Sequence, residues 1–244
     1  MKHVLWVSLA GALVVSAGCT STADPPASPV TSSSTTSPAV TILDDCPTLP
    51  CDGPLEPGEY RWTYSDPTID FTIPSPGWTW SYSGGFGIVT GEKVEGMDIT
   101  DGVYFLHDPT IATRDCEDSS EPGIGRSVGD LVAWFETAPG LVVTEPVPVT
   151  VGGFEGMQLD IEIDPEWRRP CFFSDGVPAV PLIFNGAEVG GYQWTIVAEQ
   201  SLRWSILDSE DGVIIVGLAE DTGDLPREEF LQTGGEIVDS LEFS

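Results

Sequence analysis

A two-residue alternation of apolar and polar side chains is the feature that most constrains the fold of this chain. The alternation is clearest at 156–164, where acidic and amide residues occupy every second position. The apolar positions between them are Met157, Leu159, Ile161 and Ile163. Successive side chains of a strand point to opposite faces, so this pattern predicts a β-strand with one buried and one solvated face.

Similar segments recur from residue 60 onward, separated by Gly, Pro and Asp-Gly turns. Residues 202–207 and 213–219 predict a hairpin across 209–212, with Gly212 placed where a positive φ is needed. The run VIIVGLA is continuously apolar and predicts a central strand. Further strands are predicted at 60–64, 69–73, 78–83, 86–90, 97–100, 103–106, 147–151 and 192–198.

Two segments instead have helical periodicity. Ser127 and Asp130 predict a capping box before LVAWFETA, and Pro139-Gly140 ends that helix. The second helix, PREEFLQTGGEIVDSL, begins with Pro226 at the first helical position, and its Gly234-Gly235 pair indicates close packing on the sheet or a break. These elements predict a single α+β domain, a large, mostly antiparallel sheet with about two helices packed on it.

The N-terminal segment has the pattern of an export signal. Residues 1–19 combine a cationic start, a short apolar run and small residues, and the run is too short to span a bilayer. Ser16-Ala17-Gly18-Cys19 resembles the bacterial lipobox, although Ser16 replaces the commoner Leu or Val. This resemblance implies that Cys19 is diacylated and becomes the mature N-terminus, held firmly on a membrane by its acyl chains. The alternative is an ordinary secretory signal.

Three regions follow from this interpretation. Residues 1–19 are the signal peptide and lipobox, 20–45 form a disordered tether, and 46–244 form the globular domain. Of the 22 residues at 20–41, 16 are Ser, Thr or Pro and none is aromatic. Such a segment buries too little apolar surface to offset its ordering entropy. We therefore expect an exported protein on the outer face of the cytoplasmic membrane or in the cell envelope.

Four cysteines remain after Cys19. An even number in an exported domain indicates two disulfides, for which three connectivities are possible. We favour a tight Cys46–Cys51 clip at the domain entrance and a long Cys116–Cys171 link between distant loops. The alternative of a metal site lacks zinc-finger spacing and histidine partners.

The charge balance excludes whole classes of partner. The chain has 39 acidic and 9 basic side chains and a formal net charge of −30. A nucleic-acid-binding surface needs clustered basic residues, so we expect no nucleic acid partner. A polybasic membrane-surface binder is excluded for the same reason, and the expected membrane contact is the lipid anchor.

Two groups of residues are candidate binding sites. Trp78, Trp80 and Tyr82 share one face of a predicted strand, so they form either an exposed ladder for sugars or partner side chains, or part of the core. Trp167-Arg168-Arg169 contains the one adjacent basic pair of the mature chain. This pair could bind a carboxylate or a protein, although ion pairs with Asp164 or Glu166 are the simpler interpretation.

The sequence offers no complete catalytic motif. His107 is the one histidine beyond the signal segment, and H-E-x-x-H does not occur. The residues GRSVG at 125–129 have the G-x-S-x-G spacing, but no predicted strand precedes them, as a nucleophile elbow requires. Paired carboxylates could support glycan hydrolysis, but no pair can be selected among 39. Acidic loops such as 115–121 could bind calcium, although no EF-hand pattern is present. We therefore expect no catalytic residues and no cofactor, with calcium as a secondary hypothesis.

Several segments together resemble a known group of proteins. They are LEPGEY, DFTIPSPGW, DLVAWFETAPG, VTVGGFEGMQLDIEI and FLQTGGEIVDSLEF. They are similar to uncharacterised lipoproteins of high-GC Gram-positive bacteria, over most of residues 52–244. The order of elements also resembles the PsbP-like sandwich, whose members are mainly accessory and binding modules. This resemblance implies a fold without catalysis and transfers no functional residue.

Three functions are compatible with these observations. The first is a non-catalytic envelope lipoprotein whose domain binds a ligand, such as a glycan, or another exported protein. The second is a carboxylate-dependent hydrolase of envelope or environmental glycans. The third is a structural subunit of an envelope complex.

Overall fold

The structure is a computed structural model that describes residues 39–43, 51–63, 65–82, 86–90, 101–117, 119–185, 192–220 and 225–244. These residues belong to one compact unit, Pro38–Ser244. In chain order the elements are β1 (Thr41–Leu43), β2 (Cys51–Leu55), β3 (Gly58–Trp62), β4 (Ile69–Ile73), β5 (Trp78–Tyr82), β6 (Phe86–Thr90), β7 (Gly102–His107), β8 (Thr110–Ile111), α1 (Val128–Thr137), β9 (Leu141–Val143), β10 (Val147–Val151), β11 (Phe154–Ile163), β12 (Ala179–Asn185), β13 (Tyr192–Val197), β14 (Ser201–Ser209), β15 (Gly212–Glu220), α2 (Arg227–Asp239) and β16 (Glu242–Phe243).

A nine-stranded antiparallel sheet is the centre of the fold. Its strand order is β10-β11-β14-β15-β7-β6-β5-β2, with β9 paired to β11. Two smaller sheets accompany it, with the orders β1-β3-β4-β16 and β13-β12-β8. All strand pairs are antiparallel except β1 with β3. The structure therefore confirms the α+β fold class, with a mostly antiparallel sheet and two helices.

The central sheet is apolar on both faces, and a hydrophobic core lies against each. One core combines Phe135 of α1 with residues of β12 and Ile215 of β15. The other combines Phe230 of α2 with residues of β4 and Val216 of β15. Neighbouring residues of β15 therefore enter opposite cores. This explains why 213–219 is continuously apolar and confirms its central position.

Both helices agree closely with the sequence pattern. Ser127 is the N-cap of α1, and it forms the predicted capping box with Asp130. Pro226 is the N-cap of α2 rather than its first helical residue. The helix continues through Gly234, where an added Cβ would lie 2.8 Å from Cδ2 of Leu218. Close packing on the sheet, and not a break, is therefore the reason for glycine there.

The predicted strands from 60–64 to 213–219 are present with shifts of one or two residues, except 97–100, which lies outside the described residues. Gly212 adopts the expected positive φ, at 138°. Six strands were not predicted, and β12 is the longest of them. One of the six, β1, lies inside the predicted tether at 20–45 and pairs with β3, so regular structure begins before residue 46.

Candidate functional site

A disulfide between Cys116 and Cys171 links two loops that are 55 residues apart in the chain. Both cysteines are buried, and they pack with Ala179 at the start of β12. The Cα atoms are 5.6 Å apart, a separation typical of a disulfide. The structure confirms this predicted pairing. The Cys46–Cys51 clip stays a prediction because Cys46 lies outside the described residues.

Trp167 lies in a tight turn that follows β11. Its backbone N–H donates to the carbonyl of Asp164 (2.8 Å), and its indole Nε1–H donates to the carbonyl of Ala179 (3.0 Å). Gly140, at φ 89°, lies against the ring, and an added Cβ would come within 2.5 Å of it. These contacts fix a half-buried indole between the end of β11 and the start of β12.

An apolar cavity of about 120 Å³ lies between Trp167, the disulfide and α1. Helix α1 contributes its buried Trp134, and the following turn contributes Ala138 and Pro139. Two arginines are the charged residues of the lining. The full lining is Arg114, Cys116, Trp134, Ala138, Pro139, Trp167, Arg169, Ala179, Val180 and Pro181. We refer to this space as the apolar cavity.

The arginines of this acidic chain fall into two groups. In four cases the guanidinium has a carboxylate partner: Arg61 with Asp70, Arg126 with Asp108, Arg203 with Asp160 and Arg227 with Glu220. The described residues contain three further arginines, Arg114, Arg168 and Arg169, and no described carboxylate lies within ion-pair distance of them. Arg114 and Arg169 line the apolar cavity. Arg168 lines a second space, a cleft that Trp167 also borders. The cationic groups without ion-pair partners are therefore concentrated around Trp167.

The disulfide explains why Arg114 and Arg169 come together. Each arginine lies two residues before a cysteine of the pair. Both side chains are exposed, so they lie where the apolar cavity meets solvent. The pKa of the neighbouring Asp115 is lowered, mainly by hydrogen bonds from Thr113 and the Glu117 backbone, with a smaller attraction from Arg169. One carboxylate therefore partly offsets the positive field of the two guanidinium groups.

Trp134, one of the residues that line the cavity, has an unsatisfied donor. Its side chain is buried against Phe135, yet its indole Nε1–H has no hydrogen-bond partner among the described residues. A buried donor without an acceptor costs free energy, so such groups are rare and call for a specific reason.

Trp167 also lines a wider cleft of about 420 Å³. Its polar wall is an ion-pair cluster: Nη1 of Arg227 lies 3.1 Å from Glu220 and 3.6 Å from Glu162. Ser201 donates to Glu220 (2.8 Å) and accepts a hydrogen bond from Arg227. Because these two carboxylates share one arginine, they serve as its ion-pair partners. Asp164 and Glu199 line the same cleft outside this ion-pair cluster.

The predicted aromatic ladder divides between different environments. The ring of Trp78 is 3% exposed and belongs to the core that includes α2, so it is a core residue and not a binding surface. Trp80 is partly buried against the same core. The Tyr82 side chain lies outside the described part of the chain. The two described rings favour the core alternative.

The predicted Trp167-Arg168-Arg169 group does lie at a cavity. Arg168 donates to the backbone carbonyls of Pro165 (2.5 Å) and Trp167 (2.7 Å). Neither arginine forms an ion pair with Asp164 or Glu166, so that interpretation was wrong. Asp164 instead accepts from the backbone N–H of Glu166 (2.7 Å) and so closes the turn.

Arg114, Trp134 and Arg227 were not predicted as site residues. For Arg114 a signal existed: Arg-x-Cys occurs at 114–116 and again at 169–171, and pairing the two cysteines brings the arginines together. Trp134 carries no such signal, because it matches the apolar face of α1 in the same way as its neighbours. Arg227 reaches the cleft from α2, where it contacts Ser201 and Glu162 from distant parts of the sequence.

The described residues contain neither a metal-type cluster of side chains nor a helix suited to cross a membrane. Within the described ranges, no three His, Cys, Asp or Glu side chains converge in a way that could hold a metal ion. Asp118, part of the acidic loop at 115–121, lies outside those ranges. No helix of the described part of the chain has the length and apolar character to cross a bilayer.

The described residues form a layered α+β domain with an arginine-flanked cavity. LpqN, a protein involved in cell envelope biogenesis of Mycobacterium tuberculosis, has a similar crystal structure, with a TM-score of 0.38 and 16% sequence identity. The alignment covers 81% of this chain and 92% of LpqN. At these values the similarity carries no functional argument. No protein-family model matches the chain, and no curated protein matches it.

Proposed function

We propose that this chain is an extracytoplasmic lipoprotein, anchored to a membrane through Cys19, whose α+β domain is a non-catalytic ligand-binding module. The ligand site is the apolar cavity. The observation that carries the proposal is the cavity itself, a concave apolar space next to a disulfide and bordered by cationic groups that lack ion-pair partners. Ligand sites are typically concave and mostly apolar, with a few polar groups that orient the ligand.

The cavity walls come from elements with fixed positions. Ala138 is the C-cap of α1, Ala179 begins β12, and the Trp167 indole is hydrogen-bonded to the Ala179 carbonyl. Walls held in this way keep their shape before a ligand arrives, which lowers the entropic cost of binding. The site is therefore suited to equilibrium binding.

Filling the cavity tests the binding function. Ala138 is 6% exposed and lines the cavity, so Ala138→Leu places a larger side chain inside it. The matched control is Ala133→Leu, on the exposed face of the same helix. Wild type and both variants are titrated with panels of glycans, lipids, small organic acids and peptides. Binding is followed by thermal shift and by backbone amide NMR.

We expect at least one ligand class to cause saturable shifts at the cavity-lining residues of wild type and Ala133→Leu, and not of Ala138→Leu. Circular dichroism checks that all three proteins are folded. A folded wild-type domain whose lining amides respond to no class would overturn the binding function.

The anchor has a separate test. The full chain is produced in an export-competent bacterium, and the membrane fraction is analysed by mass spectrometry. We expect a mature N-terminus at Cys19 that carries acyl chains, and release of the Cys19→Ala variant from the membrane. A mature chain that begins elsewhere without lipid would favour the ordinary secretory signal.

A further inference from the structure

We infer that the ligand of the apolar cavity is a monocarboxylate with an apolar group of side-chain size. In this arrangement Arg114 and Arg169 bind the carboxylate, the cavity holds the apolar group, and the Trp134 Nε1–H finds its acceptor in a ligand oxygen. The inference rests on the proposed function and specifies the chemistry of the same site.

The type of charge follows from the two arginines. The chain has 39 acidic side chains, yet no described carboxylate pairs with either guanidinium. A guanidinium is always charged near neutral pH, and its planar donors match the oxygens of a carboxylate or phosphate. Two such groups bordering one cavity therefore select an anionic oxygen ligand.

The amount of charge favours a carboxylate over a phosphate. Arg114 and Arg169 supply two positive charges, and Asp115, whose pKa is lowered in part by Arg169, supplies one negative charge. The net charge of these three groups is +1, which a single negative charge on the ligand would balance. A phosphate monoester carries about −1.5 to −2 at pH 7, so it would leave excess negative charge in a strongly acidic protein.

The size of the apolar group follows from the cavity volume of about 120 Å³. An apolar cavity of about 150 Å³ can hold a benzene molecule, so this space fits a branched aliphatic or aromatic group and not a long acyl chain. The lining residues Ala138, Val180 and Pro181 offer no polar atoms of their own side chains to such a group.

The unsatisfied indole of Trp134 is a second observation at the same cavity. Trp134 is 6% exposed and lines the cavity, and its Nε1–H has no acceptor among the described residues. The other cavity indole, of Trp167, is satisfied by the Ala179 carbonyl. A bound oxygen acceptor would remove the cost of the unpaired Trp134 donor.

Isothermal titration calorimetry of the full chain with defined probes tests the inference. The monocarboxylate probes are phenylacetate and 4-methylpentanoate. Phenylacetamide removes the charge, acetate removes the apolar group, and phenyl phosphate adds charge. Two peptides that end in Phe, one with a free carboxylate and one amidated, distinguish a peptide terminus from a free small acid as the source of the same chemistry.

We expect both monocarboxylates, or the free-acid peptide, to bind at least about tenfold more tightly than the amide, acetate and phosphate probes. Arg114→Gln and Arg169→Gln each weaken binding at least about tenfold, because a charge-assisted hydrogen bond is lost. Arg168→Gln is the matched control, since Arg168 is adjacent in sequence but lines the cleft and not the cavity. It leaves the affinity unchanged.

Trp134→Phe keeps an aromatic ring and removes the indole donor, and we expect it to weaken binding about three- to tenfold. In wild type, the indole N–H resonance of Trp134 shifts on binding.

Three results would each overturn the inference that the ligand is a monocarboxylate. They are equal binding of phenylacetate and phenylacetamide, tighter binding of phenyl phosphate, and an affinity that is unchanged in Arg114→Gln and Arg169→Gln. Failure of every carboxylate probe to bind would also overturn this inference. If a neutral ligand fills the cavity instead, the inference is wrong but the proposed binding function is retained.

Discussion

Ser127 and Asp130 exchange hydrogen bonds at the first turn of α1, the helix that carries Trp134 into the cavity. The Ser127 hydroxyl donates to the Asp130 carboxylate (2.6 Å), and the Asp130 backbone N–H donates to the Ser127 oxygen (3.2 Å). These bonds stabilise the charged carboxylate, so the pKa of Asp130 is lowered, first by the Ser127 side chain and then by its backbone N–H. Its contribution to stability is therefore present above the unfolded pKa and is lost as pH falls through the folded pKa.

The capping box predicts a pH-dependent cost for Ser127→Ala. Loss of an N-cap serine typically lowers the free energy of unfolding by about 1 kcal/mol. We expect the pKa of Asp130 to rise in this variant, because its main hydrogen-bond donor is gone. The difference in Tm between wild type and variant then narrows as pH falls through the Asp130 pKa. NMR titration of the Asp130 carboxyl carbon and thermal denaturation across acidic pH measure these effects.

Asp130→Asn is the control for this prediction, because it keeps an oxygen acceptor for Ser127 but does not titrate. The difference in Tm between Asp130→Asn and the double variant Asp130→Asn/Ser127→Ala should stay constant over the same pH range. An unchanged pKa of Asp130 in Ser127→Ala would show that the capping box does not stabilise the charged carboxylate.

At the scale of whole elements, α2 packs on the sheet through one of two adjacent glycines. A Cβ at Gly234 would lie 2.8 Å from Cδ2 of Leu218, whereas a Cβ at Gly235 would meet nothing within 4 Å. Leu218 belongs to the core beneath α2. The two glycines therefore share one helical conformation but differ in packing.

This contrast predicts different effects for the same substitution. Gly235→Ala should raise the free energy of unfolding by up to about 1 kcal/mol, since alanine is the better helix former. Gly234→Ala has the same propensity gain but must displace Leu218 within a packed core, so it should be the less stable of the two. Denaturant unfolding of both variants measures the difference. Equal stability would show that α2 does not approach the sheet closely at Gly234.

The elements also show where sequence patterns succeed. Strands such as β11 and β15 were predicted because burial on one or both faces leaves a direct record in the sequence. The strand β12 was missed because it contains Pro181 and a register shift between Pro181 and Ile183, which disrupt the alternation. The strands β1 and β8 have three and two residues, too few for a periodicity to emerge.

For the whole molecule, the sequence predicts the part of the site that the disulfide links. It does not predict the part that depends on packing between distant segments. The predicted Cys116–Cys171 pairing is confirmed, and pairing these two cysteines also brings Arg114 and Arg169 to one cavity. Trp167 was selected through the adjacent arginines. By contrast, the core position of Trp78 and the unpaired donor of Trp134 depend on packing between segments distant in sequence, which local patterns do not record.

The disulfide also has a consequence for when the protein can work. Each cavity arginine lies two residues from a sulfur of the Cys116–Cys171 bond, so the covalent link holds both cationic borders of the cavity in register. Thiols stay reduced in the cytosol and oxidise in exported proteins. If the chain is exported as proposed, a newly made copy would carry the proposed binding site without this covalent link. The cell compartment, rather than a moving lid, would then determine when the site can bind its ligand. Ligands inside the cell would not be sequestered before export.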